Sequence, residues 1–165
     1  MSKEMEQAFI RAYEEHADAL FRYCSFKIHD RELAKDLLQE AFSKTWAYLA
    51  KGEEVGNLRA FLYRTLGNLI IDEYRKKKTS SLDALMDEGF DRSEDEPLSV
   101  EDRIDAASAM ELLKKLPEGY GDVIFMKYVQ ELSLKEIAEI TRQSENAVAV
   151  RIHRGLQKAR KLFNH

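Results

Sequence analysis

The chain has 165 residues, of which 44% are hydrophobic and 34% charged, so it can bury a core and stay well hydrated. Seven Gly and two Pro favour long helices over a β architecture, and no stretch approaches the ~20 apolar residues of a membrane span. The N-terminus lacks the apolar segment of an export signal, and the single Cys24 has no intrachain disulfide partner. We therefore expect a helical, cytoplasmic protein without membrane insertion, in which Cys24 stays reduced.

The first clear helical pattern follows Asp30, which is suited to cap a helix. One buried face is predicted from the spacing of Ala34, Leu37, Leu38, Ala41, Phe42, Thr45, Trp46 and Leu49. The opposite side carries Asp36, Gln39, Glu40 and Ser43, and periodicity alone favours plain solvation for it. The pair His29-Asp30 is also found in metal phosphohydrolases, but the other histidines are scattered, so the sequence predicts no metal site.

A second helix is predicted from a buried side that contains Leu58, Phe61, Leu62, Thr65, Leu66, Leu69 and Ile70. A separate stripe carries Arg64, Asn68, Ile71 and Arg75 with Tyr63 beside it, and the helix ends in Arg75-Lys76-Lys77-Lys78. This mixture suits nucleic acid, because cations neutralise phosphates and an aromatic ring stacks on an unpaired base. The alternative is a helix end stabilised by cations through the helix dipole. Gly67 lowers helix stability and is compatible with close approach of another helix or of a nucleotide.

Charge is distributed unevenly along the chain. Residues Thr79–Asp105 contain ten acidic side chains against Arg92 and Arg103, a charge of −8, so a total of −4 minus −8 leaves +4 for the rest. A block of this kind is typical of a solvated linker. The sequence therefore predicts an N-terminal domain at 1–78, a flexible acidic linker at 79–103 and a C-terminal domain at 104–165.

The C-terminal domain contains a helix-turn-helix pattern within Ser133–Arg154. Ser133 and Glu136 have the spacing of a capping box, the chain turns polar at Thr141-Arg142-Gln143, and Ser144 is suited to cap the next helix. That helix has an inner stripe of Val148, Ile152, Leu156, Ala159 and Phe163 and a basic side of Arg151, Arg154, Lys158 and Lys161. A capped helix, a short turn and a basic second helix fit the DNA major groove. The alternative is an ordinary helical hairpin with a solvated charged face.

Taken together, the chain resembles the bacterial sigma factors of the extracytoplasmic-function type, a group of the sigma-70 family. The segments that carry the resemblance are, in order, DRELAKDLLQEAFSKTW, RAFLYRTLGNLIIDEYRKKK and LPEGYGDVIFMKYVQELSLKEIAEITRQSENAVAVRIHRGLQKAR. The first two resemble sigma region two, and the third resembles region four. The resemblance implies an all-α protein in which two small helical domains are joined by the acidic linker.

The resemblance also implies a function and a set of contact residues. The chain is expected to be a promoter-specificity subunit that performs no covalent catalysis and uses no cofactor or metal. Its expected partners are core RNA polymerase (through the clamp and the flap), promoter DNA and an anti-sigma factor, although nothing in the sequence identifies the last. Polymerase contacts fall on Asp36, Leu37, Gln39, Glu40 and Trp46. Minus-ten contacts fall on Tyr63, Arg64, Asn68, Arg75, Lys76, Lys77 and Lys78, and the loop Gly52–Arg59 falls where the family holds a flipped base. Minus-thirty-five contacts fall on or beside Glu145, Asn146, Ala149, Arg151, Arg154 and Lys158.

Two departures from the family pattern bear on promoter choice. Arg142 stands where the family usually has Gly, and Ala149 stands where Lys is frequent. Promoter preference therefore does not follow from the resemblance. A different class also stays open, a helix-turn-helix repressor or activator that acts without core polymerase and binds duplex DNA unaided. The Asp36–Trp46 face discriminates between the two, because only a sigma factor needs it for polymerase.

Overall fold

The computed structural model describes residues 1–80 and 102–164, and its contacts divide the chain into two compact units, Met1–Glu94 and Asp95–His165. Every regular element in these described ranges is helical, which confirms the predicted all-α class. The first unit contains α1 (Lys3–Lys27), α2 (Arg31–Ala50) and α3 (Leu58–Ser80). The second contains α4 (Asp102–Lys115), α5 (Tyr120–Ile124) with a π-helical turn at Phe125–Val129, α6 (Leu134–Thr141) and α7 (Glu145–Phe163).

Most of the predicted acidic linker, residues 79–103, lies outside the described residues. Helix α3 extends to Ser80 and helix α4 begins at Asp102, so regular helix enters both ends of that range. The domain boundaries at 78 and 104, which were drawn from charge alone, stay predictions.

Helix α1 is absent from the sequence-based prediction, although its signals are present. The Ser2 hydroxyl accepts a hydrogen bond from the Met5 N–H at 3.1 Å, and Glu4 and Glu6 lie in the first turn, where the helix dipole favours acidic residues. Its buried residues are Ala12, Leu20, Tyr23 and Cys24. This helix packs against both α2 and α3, so the first unit is a three-helix bundle.

Helix α2 begins where the sequence predicted. The Asp30 carboxylate accepts hydrogen bonds from the N–H groups of Glu32 at 3.0 Å and Leu33 at 3.2 Å. Its buried residues are Ala34, Leu37, Ala41, Phe42, Thr45 and Leu49, which confirms most of the predicted stripe. Trp46 is 38% exposed, so its predicted place in the core is wrong. It lies at the edge of the stripe and contacts α1 instead.

The buried face of α3 matches the prediction in part. Leu62, Leu66, Leu69 and Ile70 are buried as expected, and so are Ala60 and Tyr63. Leu58, Phe61 and Thr65, which were also predicted on the buried side, are half-buried. The helix begins at a side-chain cap, in which Asn57 Oδ1 accepts the Ala60 N–H at 3.0 Å. Near its other end, the Tyr74 hydroxyl donates to the Lys27 carbonyl oxygen and ties α3 to the end of α1.

The helix-turn-helix of the second unit forms as predicted. Ser133 Oγ accepts the Glu136 N–H at 3.1 Å, and the Glu136 carboxylate accepts the Ser133 N–H at 3.3 Å, which completes the capping box. Ser144 Oγ accepts the Ala147 N–H at 3.0 Å and caps α7. Between the helices, Arg142 adopts the left-handed conformation at φ 58° and ψ 41°.

Helix α7 is the central packing element of the second unit, since α4, α5 and α6 all contact it. It buries Val148, Ile152 and Gly155. Gly155 allows this close packing, because a Cβ at that position would lie 2.8 Å from Ile124 Cδ1. The predicted inner stripe ends too late, since Phe163 is 78% exposed at the last position of the helix.

Candidate functional site

The polar side of α2 is exposed, as the sequence pattern indicates. Asp36, Gln39 and Glu40 all face solvent, and Glu40 lies 3.8 Å from Lys44 in an exposed ion pair that contributes little to stability. Leu37 is different, because it is only 4% exposed and belongs to the core of the bundle. Its assignment as a direct polymerase contact is therefore corrected to a packing role beneath this surface.

An aromatic groove lies beside this polar side, between α1 and α2. Trp46 contacts Phe9 with ring centroids 5.1 Å apart, and Tyr13 contacts Phe42 at 4.8 Å. Tyr13 is 54% exposed despite its size. The groove has a volume of about 570 Å³ and is lined by Phe9, Tyr13, Ala17, Lys35, Leu38, Gln39, Phe42, Ser43 and Trp46. We call it the α1–α2 groove.

Sequence reasoning missed the α1 half of this groove. Phe9 and Tyr13 are spaced i, i+4, and Ala17 follows at i+8, so they line one side of α1. The spacing was available, but it is also the spacing of a core stripe. Only the structure shows that this side of α1 lies next to the polar side of α2.

Helix α3 presents a second surface. Asn68, Ile71 and Arg75 are exposed along one side of the helix, and Arg64 is half-buried one turn before Asn68. The helix continues into the exposed Lys76, Lys77 and Lys78. These residues form the mixed polar and basic stripe that the sequence predicted.

Tyr63 does not belong to that stripe. It is 1% exposed, and its ring packs edge-on against Tyr23 of α1 at 5.5 Å. A ring buried in this way has no face available to an unpaired base, so its assignment as a minus-ten contact is corrected to a core role. Tyr63 precedes Arg64 on α3, but α1 packs against the side of α3 that carries Tyr63 and buries it.

The loop between α2 and α3 borders a further groove of about 460 Å³. One wall comes from Val55, Gly56, Asn57, Leu58 and Arg59, and the other wall is the N-terminal half of α1. The α1 wall carries Arg11, Glu15 and His16, so the groove has polar groups on both sides. The loop that the resemblance associates with a flipped base therefore does border a concave, polar site.

The outward side of α7 defines a third surface. Asn146, Val150, His153 and Gln157 follow each other at i, i+4, i+7 and i+11, and all four are exposed. Arg154 is exposed beside them. The sequence pattern predicted Asn146 and Arg154 as DNA contacts but not Val150, His153 or Gln157. The prediction was based mainly on basic residues, and these three side chains are not Lys or Arg. Glu145 is exposed in the first turn, and Ala149 is half-buried.

Arg151 and Lys158 lie on the flank of α7 that faces α5. The Arg151 guanidinium carbon is 5.9 Å from the Tyr120 ring centre, and the Lys158 ammonium is 5.6 Å from it. Arg151 also lies against Gly119, where an added Cβ would clash with Arg151 Nη1. The structure therefore places Arg151 in contact with α5, which favours a packing role over the predicted minus-thirty-five contact.

Two further observations concern the reactivity of Cys24 and the possibility of a membrane-spanning helix. Burial raises the pKa of the Cys24 thiol to about 11, and its Sγ lies 3.7 Å from the Ala34 carbonyl oxygen, so the thiol stays protonated near neutral pH. Within residues 1–80 and 102–164, every helix is too short or too polar to cross a membrane.

Two sequence profiles match the two units. Residues 12–80 match the family described as Sigma-70 region 2, and residues 106–158 match the family described as Sigma-70, region 4. The first match covers the three-helix bundle from within α1, and the second covers the helix-turn-helix. The chain belongs to the sigma-70 family, and the match to region 2 favours this family over the repressor alternative.

Individual relatives define the group within that family. The chain is 32% identical to the ECF RNA polymerase sigma factor SigW of Bacillus subtilis (strain 168) over 177 residues, which covers 98% of this chain and 91% of SigW. The protein is thus an RNA polymerase sigma factor of the extracytoplasmic-function group, a DNA-binding factor of transcription initiation.

Solved structures share the fold. CnrH, solved in complex with the cytosolic domain of CnrY, is 25% identical with a TM-score of 0.69, over 96% of this chain and 89% of CnrH. RpoE of Bartonella quintana, solved with the anti-sigma factor NepR, is 21% identical with a TM-score of 0.71, over 99% of this chain and 98% of RpoE. The latter likeness concerns the fold alone.

Proposed function

We propose that this sigma factor binds core RNA polymerase through the first unit and directs it to promoters that both units contact. It acts in the cytoplasm by binding alone and catalyses no covalent step. The observation that carries the proposal is the α1–α2 groove, because it adjoins the exposed acidic side of α2. Exposed aromatic clusters rimmed by polar residues are typical of protein interaction sites.

The polymerase-binding surface consists of the α1–α2 groove together with Asp36, Gln39 and Glu40. Tyr13 and Trp46 supply apolar area that gains free energy when a partner covers it. The carboxylates beside them attract a basic partner surface and exclude an acidic one. Leu37 holds this side of α2 in place from beneath.

The minus-ten surface is the exposed stripe of α3. Asn68 can hydrogen-bond the edge of an unpaired base, and Arg75 with the following lysines can neutralise phosphates. The loop between α2 and α3 and its polar groove offer a site for a base that leaves the stack. Binding energy there offsets an unstacking penalty of a few kcal/mol, so strand opening requires no nucleotide hydrolysis by this chain.

The minus-thirty-five surface is the outward side of α7. Its neutral side chains at Asn146, Val150 and Gln157 can contact base edges and thymine methyl groups in the major groove. Arg154 supplies a cation beside them for a base or a phosphate. A regulatory protein that covers one of these surfaces is a further expected partner, and CnrH offers a parallel in its complex with the CnrY cytosolic domain.

The polymerase surface is tested by the double variant Asp36→Arg with Glu40→Arg. Both residues are exposed, so the variant should keep its helical content, whereas affinity for core polymerase should fall by about 2–5 kcal/mol. The measurement is copurification with core polymerase, followed by run-off transcription on genomic fragments.

The matched control is Glu14→Arg with Asp18→Arg, which reverses two exposed acidic residues of α1 at the same i, i+4 spacing that line neither groove. It changes the net charge equally and should retain polymerase binding. Equal affinity in the two folded double variants would contradict the assignment of this surface.

A further inference from the structure

Gly67 lies near the middle of α3, where glycine destabilises a helix because it has more conformational freedom to lose on folding than alanine. Packing within the described residues does not require glycine at this position. A Cβ added to Gly67 would have a single neighbour there within 4 Å, the Tyr23 hydroxyl oxygen at 4.0 Å, which is an ordinary contact. Packing among the described residues therefore gives no folding reason for this glycine.

Gly155 of α7 provides the contrast. Its added Cβ would lie 2.8 Å from Ile124 Cδ1 and 3.3 Å from Tyr120 Cβ, so α5 can pack against α7 only because glycine is present. Gly155 is explained by a neighbouring helix. Gly67 is half-buried and has no such close neighbour among the described residues.

The surroundings of Gly67 indicate what occupies that space. The half-buried Arg64 lies one turn before it, the exposed Asn68 follows it, and Ile71, which is 48% exposed, lies one turn after it. Residues at i−3 and i+4 are neighbours on a helix surface, so Arg64 and Ile71 flank the bare backbone of Gly67. Gly67 and Ile71 are therefore neighbours on the surface of α3, and Asn68 and Arg64 lie on the same helix beside them.

We propose that the face of an unpaired nucleobase of the promoter packs on Gly67 and Ile71 while Asn68 binds its edge. A flat ring can approach bare helix backbone more closely than it can approach any side chain, and the exposed Ile71 adds apolar area to the contact. Gly67 is thus a positioning residue for DNA, retained at the expense of helix stability. The inference rests on the proposed minus-ten role of α3.

The test is Gly67→Ala in the full chain, because the two effects of this change have opposite signs. Thermal unfolding is followed by the fluorescence of Trp46, the only Trp of the chain, which reports on the first unit. We expect the melting temperature to rise by roughly 2–8 °C. With core polymerase present, affinity for a fluorescein-labelled single-stranded oligonucleotide of the non-template minus-ten region of a mapped promoter should fall at least about 5-fold, which corresponds to about 1 kcal/mol.

Two further variants make the outcome unambiguous. Thr65→Ala also changes helix propensity but lies across α3 from Gly67, so it should leave DNA affinity unchanged whatever its effect on the melting temperature. Asn68→Ala tests the proposed function itself. If Asn68→Ala weakens DNA binding and Gly67→Ala does not, the inference about Gly67 is overturned and the minus-ten role stands.

Two other outcomes would contradict the proposed base contact or the minus-ten role of α3 as well. If Gly67→Ala weakens binding of core polymerase and not of DNA, the space is occupied by polymerase and the proposed base contact is wrong. If neither Gly67→Ala nor Asn68→Ala affects DNA binding, both the inference and the minus-ten role of this surface fail.

Discussion

The position of Arg151 leads to a prediction that separates stability from DNA recognition. Arg151 is half-buried, and its guanidinium lies over Tyr120 and against Gly119. Arg154, one turn further along α7, is exposed. The substitutions Arg151→Ala and Arg154→Ala therefore remove the same charge from the same helix, but only the first removes a contact between α7 and α5.

The expected cost of Arg151→Ala follows from that contact. A cation over an aromatic ring at a partly exposed site contributes about 0.5–1 kcal/mol, and the aliphatic stem of the arginine covers some apolar surface as well. A loss of about 1 kcal/mol speeds local opening roughly fivefold. Peptide-resolved hydrogen exchange on the full chain should show this acceleration in α5 and α7, whereas Arg154→Ala should leave exchange unchanged.

DNA binding should show the reverse order. Binding is measured with core polymerase and a minus-thirty-five duplex. If Arg154 reads a base, Arg154→Ala should weaken binding of that promoter by about 1–3 kcal/mol. If Arg154 contacts phosphate, the substitution should weaken binding equally for all sequences and make the salt dependence of binding shallower. Arg151→Ala should stay within about twofold of the original chain. An Arg151→Ala protein with unchanged exchange and lost promoter specificity would refute the structural role assigned to Arg151.

The features that the sequence predicted well are those that depend on neighbours along the chain. Asp30, Ser133 and Ser144 cap their helices as expected, because the hydrogen bond runs from a side chain to a backbone N–H two or three residues away. The buried stripe of α2 was also largely correct, since a single face at helical spacing packs against the rest of the bundle. Both signals are local, so they can be read without the tertiary structure.

The features that the sequence could not predict are contacts on the flanks of helices. Tyr63 and Arg151 each lie beside a face whose direction the spacing defines, but another helix decides whether the flank is covered. Helix α1 covers Tyr63 through Tyr23, and α5 covers Arg151 through Tyr120. These contacts join residues far apart in sequence, so periodicity could not predict them. The α1 side of the α1–α2 groove was missed for the same reason.

Two further predictions concern stability and reactivity. Burial raises the pKa of the Cys24 thiol from 9.0 to about 11, so a smaller fraction of the thiol is ionised in the folded chain than in urea. At pH 8.5 this difference in ionisation alone should make alkylation of Cys24 by iodoacetamide roughly 75-fold slower in the folded chain. Mass spectrometry measures both rates, and equal rates would contradict burial of the thiol. Arg142→Gly should stabilise the second unit by about 1 kcal/mol, because Arg142 holds a left-handed conformation at φ 58° that favours glycine. Arg142→Ala is the control, since it removes the same side chain but keeps the strained backbone, and it should bring no gain in hydrogen-exchange protection of α6 and α7. Equal protection in the two variants would mean that the arginine side chain, and not its backbone conformation, sets the stability of this turn.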